Sequence, residues 1–319
     1  MRILVTGGAG FIGSHLADGL LAAGHEVAVL DNLSHGHRDF LAPVVRLYQL
    51  DLRRDDLDGC FGEFQPQAVF HCAAQVDVAY SLAHPAEDAR TNYLGTLRLL
   101  EACRLRGVGK LIYASSAAIY GEPEVLPVPE GHPTRPLSPY GLSKYVVEET
   151  LALYGRLHGL THTVLRYANV YGPRQDPEGE AGVVAIFARR MLKGEEVVIY
   201  GDGNQERDFV YVGDVVDASL LALERGDGEV LNLGTARMVT VRDVFELLAE
   251  LTAYRREPVS APARSGEIYR MSLDGSRAAE VLGWRPRVDL RRGMEETVAY
   301  FRDSLAAGMN RHQAGRGIL

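Results

Sequence analysis

The chain opens with short apolar runs that alternate with longer amphipathic stretches. Arg2–Thr6 is an apolar run ending in a glycine cluster, which predicts a buried strand. Gly13–Ala23 then spaces its apolar residues at helical period and stops at Gly24, a helix-ending signal. The alternation continues. Strands are predicted at Glu26–Leu30, Val44–Leu50, Ala68–Ala74, Lys110–Ser115 and Thr161–Ala168, with helices at Thr91–Arg106 and Pro139–His158. Strands that are apolar throughout are buried on both faces. With intervening helices they predict an α/β fold, a parallel sheet carrying helices on both sides.

After Asn169 the pattern changes. Tyr171–Gly182 reads as a loop, Val183–Leu192 as a helix, Glu196–Tyr200 as a strand and Gly201–Asp208 as a polar turn. Asp214–Leu223 returns to helix, and Val230–Gly234 reads as a further strand of the main sheet. Thr240–Thr252 is a helix with Thr240 at its cap, and Pro258–Arg270 is loop-rich. The tail after Ser304, rich in small and polar residues, is expected to be disordered. The expected organisation is a first domain over 1–169, rejoined by segments near 208–236. A smaller, discontinuous α+β substrate domain follows from 170–207 and 237–302, with a tail at 303–319.

Composition narrows the function. The 319 residues are 46% apolar and 24% charged, ordinary for a soluble domain. Net charge is −8 with no run of five like charges, which argues against a nucleic-acid or membrane-surface partner. No apolar run approaches the about 18 residues of a membrane span. Three cysteines, odd in number and far apart, fit a reducing cytoplasm. The histidines are scattered, so no metal site is expected.

The chemistry lies in two places. Gly7-Gly8-Ala9-Gly10-Phe11-Ile12-Gly13 follows a strand and opens a helix. Glycines there allow a tight turn and let backbone N–H groups approach a pyrophosphate at a helix N-terminus, as in Rossmann-type sheets. Asp31 closes the second strand, where a carboxylate accepts both hydroxyls of an adenine ribose and repels a 2′-phosphate, favouring NAD over NADP. Asp51 after the third strand fits the adenine amino group. The second place is Tyr140 and Lys144, four residues apart, with Ser116 upstream. With 15 tyrosines and only three lysines, chance yields roughly 0.14 such spacings. The i,i+4 spacing puts both side chains on one helical face. Oxidising an alcohol requires a base for its O–H proton. A phenol with pKa near 10 must come down about 3 units, for which one cation is marginal and a second suffices. Ser116 donates to the same oxygen, with Ser115 the alternative.

These stretches, together with HCAAQ at 71–75, TNYLGT at 91–96, SSAAIYG at 115–121, SPYGLSK at 138–144, RYANVYGPRQ at 166–175 and RDFVYVGDV at 207–215, resemble an extended short-chain dehydrogenase/reductase of the NAD-dependent epimerase/dehydratase family. NLG at 232–234, RSGE at 264–267 and LGW at 282–284 carry the likeness almost to the C-terminus. Within the family the chain is most similar to UDP-glucose 4-epimerases. The resemblance implies bound NAD, a UDP-sugar substrate and a homodimer pairing the Thr91–Arg106 and Pro139–His158 helices. It implies that Gly7, Gly10, Phe11, Ile12 and Gly13 line the pyrophosphate. Asp31, Asn32, Leu33, Ser34, His35 and Gly36 surround the ribose, and Asp51 and Leu52 frame the adenine. Cys72, Ala73, Ala74 and Gln75 pass beneath the cofactor with Asn92 in support, and Ser115, Tyr167 and Ala168 complete that wall. Tyr140 and Lys144 also hold the nicotinamide ribose.

On the substrate side the resemblance implies Ser116, Tyr140, Asn169, Val183 and Val184 near the sugar diphosphate, and Tyr200 near the uracil. Arg207 and Arg264 clamp phosphates, with Glu267 beside them and Met271 as a gate at the sugar C2 substituent. Related dehydratases carry an Asp-Glu pair after the catalytic Ser/Thr, and related decarboxylases a Glu. Here Ala117 and Ala118 follow Ser116, so elimination lacks its acid. The expected activity is 4-epimerisation of UDP-glucose and UDP-galactose. Epimerisation of UDP-N-acetylhexosamines or UDP-glucuronate, and a non-catalytic NAD-binding regulator, remain as alternatives.

Overall fold

The computed structural model describes residues 1–178, 182–263 and 268–314. Its centre is a seven-stranded sheet of β1 (Arg2–Thr6), β2 (Glu26–Asp31), β3 (Arg46–Gln49), β4 (Ala68–His71), β5 (Lys110–Ser116), β6 (Thr161–Tyr167) and a seventh strand, Val230–Leu233. Across the sheet the order is Val230–Leu233, β6, β5, β4, β1, β2, β3, with every neighbouring pair parallel. The order reverses between β1 and β4. In an open α/β sheet that is where a crevice opens beyond the strands' carboxyl ends.

The apolar runs are explained by burial on both faces. Ile3 and Val5 of β1 join Leu16 and Leu20 of the Phe11–Ala22 helix on one side. Leu4 faces the other side with Leu99, Leu100, Val147 and Leu151. Each such side chain contributes roughly 1.5–3 kcal/mol on full burial. A second core forms among the Val183–Leu192, Val241–Thr252 and Leu290–Ala314 helices around Phe187, Phe245, Met294 and Phe301. Thr240 caps the middle one in a capping box. Its hydroxyl accepts from the Asp243 N–H (3.0 Å), and the Asp243 carboxylate accepts from the Thr240 N–H (3.1 Å).

Several expected elements differ. The helix expected from Thr91 is one turn of π-helix, Arg90–Leu94, followed by α-helix Gly95–Arg106. Such a bulge lets an inserted residue turn a side chain aside, and here Asn92 reaches Gln75. Glu206–Arg207 is a strand inside the expected polar turn, pairing with Val239–Thr240 and Arg270–Met271. Val259–Ala261 is a strand in the expected loop, pairing with Val198–Tyr200. Their partners lie far along the chain, so local pattern does not show them. Of the tail expected to be disordered after Ser304, residues 305–314 continue the last helix to Ala314, favoured by the strong helix formers Leu305, Ala306 and Ala307, and residues 315–319 lie outside the described residues.

A buried polar network ties the Pro139–His158 helix to the sheet. Arg166 of β6 donates to Glu148 through Nη2 (2.6 Å) and Nε (3.1 Å). Ser115 of β5 donates to the same carboxylate. Arg166 Nη1 donates to the Tyr120 hydroxyl (2.7 Å), which donates to Asn232 on the seventh strand (2.8 Å). Glu148→Ala would strand the Arg166 charge in the interior, and we expect a loss of about 3–5 kcal/mol in urea unfolding. The paired change Glu148→Leu with Arg166→Met should recover most of that loss, because buried ion pairs are replaceable by packed apolar groups. A single variant within about 1 kcal/mol of wild type would show that the network does not hold the helix.

Candidate active site

The glycine turn folds as its sequence dictates. Gly7 has φ +67°, and a Cβ there would lie 2.6 Å from the Ala73 backbone nitrogen. A Cβ at Gly13 would lie 2.2 Å from the Gly7 carbonyl oxygen. The backbone therefore closes into a cradle that side chains would fill, at the start of the Phe11–Ala22 helix. Gly10 is the helix cap and the first turn holds no acid, so Phe11, Ile12 and their neighbours present N–H groups and the positive helix end to an anion.

Asp31 ends β2 beside this cradle. Its oxygens accept from the Ala9 N–H (2.9 Å) and the Leu33 N–H (2.8 Å), which fixes the carboxylate with lone pairs remaining. Leu33 takes φ 58°, the Asn32 side-chain carbonyl accepts from the Ser34 N–H, and exposed His35 leads into Gly36. A Cβ at Gly36 would come within 2.9 Å of Asp31, so this loop is also shaped around the carboxylate. Asp51 is gripped by Arg53 through Nε (2.9 Å) and Nη2 (2.6 Å), and this pulls its pKa down to about 2. Leu52 is buried in the core with Phe61. The glycine cradle, helix end and ribose-side carboxylate together fit a dinucleotide.

On the far side of the switch point, Cys72 follows β4 with Ala73, Ala74 and Gln75. Burial pushes the Cys72 thiol up to about 12, so it stays protonated. The Gln75 N–H donates to Asn92 Oδ1 (2.7 Å), and Asn92 Nδ2 donates back to the Gln75 carbonyl (2.9 Å) and to Ser143 (3.1 Å). His71 is clamped between Thr6 (2.7 Å) and Thr96 (2.7 Å), and burial pushes its pKa down to about 3. Tyr167 is buried in the core that Cys72 also borders, and Ala168 packs against it.

The three chemical residues meet at the end of β5. Ser138 caps the Pro139–His158 helix, accepting from the Gly141 N–H (3.1 Å), with Pro139 pre-set for the first helical position. A Cβ at Gly141 would lie 2.5 Å from the Ala118 carbonyl oxygen, so glycine lets the helix end press against the turn after Ser116. Tyr140 is thereby set beside Ser116, whose hydrogen bond pulls the phenol pKa down. Burial outweighs that bond and raises the phenol above its ordinary value. The Lys144 ammonium donates to the Ala114 carbonyl (2.7 Å), lies 4.9 Å from the Tyr113 ring centroid and 5.9 Å from that of Tyr140. Burial pulls Lys144 down to about 8.

The substrate-side residues spread along one rim. Asn169 is exposed beyond β6, its N–H donating to the Asp208 carbonyl (2.9 Å). Val183 and Val184 open the next helix, with Val184 inside the second core. Tyr200 is exposed, and Arg207 donates to the Glu206 (2.9 Å) and Tyr269 (3.1 Å) carbonyls. Met271 pairs with Arg207 in register and is buried in a cluster with Ala117 and Leu273. Arg264 and Glu267 lie outside the described residues. Sequence reasoning missed Glu148, Arg166, Tyr113 and Asp88. Glu148 had a signal, since it repeats the four-residue step from Tyr140 and Lys144 on the same helical face.

The family model described as "NAD dependent epimerase/dehydratase family" matches residues 3–234. The chain is 44% identical over 310 residues to a UDP-glucose 4-epimerase of Mycolicibacterium smegmatis, covering 95% of this chain and 99% of that one. It superimposes on the Thermotoga maritima UDP-glucose 4-epimerase with UDP-glucose at a TM-score of 0.94 and 52% identity, covering 96% of this chain and all of that one. Against the Thermus thermophilus UDP-glucose 4-epimerase complex with NAD the TM-score is 0.91 at 48% identity, covering 95% and 99%.

The buried lysine has a measurable signature. Its folded pKa, about 8, lies below the unfolded 10.5, so between these values the unfolded chain holds the extra proton and stability rises with pH. Relative to Lys144→Met, the wild type should gain up to about 3 kcal/mol across that window, read by urea unfolding. Parallel curves for the two proteins would show that Lys144 is not buried as described.

Proposed function

The chain belongs to the NAD dependent epimerase/dehydratase family, and from that premise we propose that it interconverts UDP-glucose and UDP-galactose by inverting C4. The observation that carries the reading is the junction of Ser116, Tyr140 and Lys144 beside a glycine cradle suited to a dinucleotide. When bound, NAD supplies reversible oxidation of the C4 alcohol. Asp31 favours NAD because its charge opposes a 2′-phosphate.

The chain's own residues hold and move the proton. Ser116 orients the sugar hydroxyl toward Tyr140, and Tyr140 takes its proton and later returns one to the inverted alcohol. Lys144 fixes the charge beneath the pair. Ala117 and Ala118 leave no acid after Ser116 for eliminating water, which supports simple inversion. Arg207 faces the diphosphate, a group that guanidinium suits. No helix among the described residues is long and apolar enough to cross a membrane, and the free Cys60, Cys72 and Cys103 support a reducing cytoplasm.

Tyr140→Phe should keep NAD bound, since the ring remains, while epimerase turnover falls at least a hundredfold, in line with loss of a general base. Turnover with UDP-galactose is measured alongside cofactor content. Retention of more than about a tenth of wild-type turnover would remove Tyr140 from its role.

We also assign a homodimer. Leu94 and Leu105, with Leu142, Leu153 and Leu157 of the Pro139–His158 helix, expose apolar side chains on two neighbouring helical segments. Pairing with a second copy would bury them as a four-helix bundle. Light scattering at micromolar concentration should give twice the chain mass, and Leu153→Glu with Leu157→Glu should give one chain mass. A wild-type monomer would contradict the assignment.

A further inference from the structure

One buried carboxylate has no part in the chemistry above. Asp88 sits on the short Pro85–Ala89 helix packed against the Pro139–His158 helix and is 1% exposed. Its Oδ1 accepts from Gln75 Nε2 (3.0 Å) and Asn92 Nδ2 (3.1 Å). Its Oδ2 is buried without a hydrogen-bond partner among the described residues. Burial raises the Asp88 carboxyl above its ordinary value, and against this stand neighbouring Ser143, whose hydroxyl also donates to the Tyr140 carbonyl (2.9 Å), and the charge of Lys144. A buried carboxylate so placed needs a positive charge nearby or a proton of its own.

Among the described residues the surrounding charges leave one cation for it. From the Pro139–His158 helix come Tyr140, Lys144 and Glu148, and Glu148 is already paired with Arg166 of β6. From β5 comes the Tyr113 phenol, and from the end of β4 come neutral His71 and the Cys72 thiol. Asp77 caps the adjoining helix through the Tyr80 N–H (2.6 Å), and Glu87 pairs with Arg90 at the surface. Resting on the proposed function, we infer that Asp88 is the ionised counter-charge of Lys144 and sets the pH range in which the Tyr140–Lys144 pair works. It acts through Lys144 as a positioning residue. Its charge supports the protonated lysine against burial and also holds the Tyr140 phenol up. Removing it should therefore move both groups to lower pH.

The first test does not involve catalysis. In Asp88→Asn, which keeps the Oδ1 acceptor, the Lys144-dependent rise in unfolding stability should begin about one pH unit lower than in wild type. The second is the kcat profile of the NAD-loaded enzyme with UDP-galactose. Both limbs should move to lower pH by a similar amount, and Asp88→Glu should move them back. A stability window and limbs unmoved, with only a lower plateau, would overturn the inference. Absence of epimerase turnover in wild type would overturn the proposed function instead and leave the stability test of Asp88 standing. If the asparagine variant does not fold, Asp88→Ser removes the same charge and carries the same two outcomes.

Discussion

The structure turns on holding one ammonium ion out of water. Lys144 is 4% exposed, and burial outweighs every opposing interaction to bring it down to about 8. What opposes this is local: the Ala114 carbonyl that accepts its proton, the Tyr113 ring against which it lies, and the negative charges of Glu148 and Asp88. Ala114 and Tyr113 belong to β5, Glu148 to the Pro139–His158 helix itself and Asp88 to the Pro85–Ala89 helix. The helix, β5 and the segment after β4 are thus tied by the same charge, and the Arg166–Glu148 pair fastens the helix to β6 one turn further on.

The sheet makes this possible. Strand order reverses between β1 and β4, so the glycine cradle after β1 and the Ser116 turn after β5 open into one crevice. Glycine is required at two joints for steric reasons. Gly13 lets the first helix start against the β1 turn, and Gly141 lets the Tyr140 helix start against the Ser116 turn. Both place a helix beginning, with its positive end, at the rim where anionic ligands would bind. Burial leaves the Tyr140 phenol raised above its ordinary value in the chain's own field, which the proposed proton transfer has to overcome.

The parallel core was legible because strands buried on both faces must be apolar throughout, as Ile3, Leu4 and Val5 show in turn. The Tyr140–Lys144 pair was legible because helical spacing fixes which side chains share a face. Charge assignments were less so. The setting of the Lys144 ammonium, against the Ala114 carbonyl and the Tyr113 ring, is fixed by β5 and is silent in sequence. Asp88 could not be singled out among many acids, since its burial follows from the π-turn at Arg90–Leu94 and from packing against a distant helix. The short strands Glu206–Arg207 and Val259–Ala261 were hidden for the same reason: their hydrogen-bond partners are remote.

In the proposed reaction the C4 hydrogen leaves and returns within one site while Tyr140 handles only the hydroxyl proton. Isotope tracing tests this directly. UDP-glucose carrying deuterium at C4, incubated with the NAD-loaded enzyme in ordinary water, should give UDP-galactose with the label still at C4 and none released to solvent. Washout of deuterium during inversion would mean that C4 exchanges its hydrogen with water, and the account of the site would be wrong.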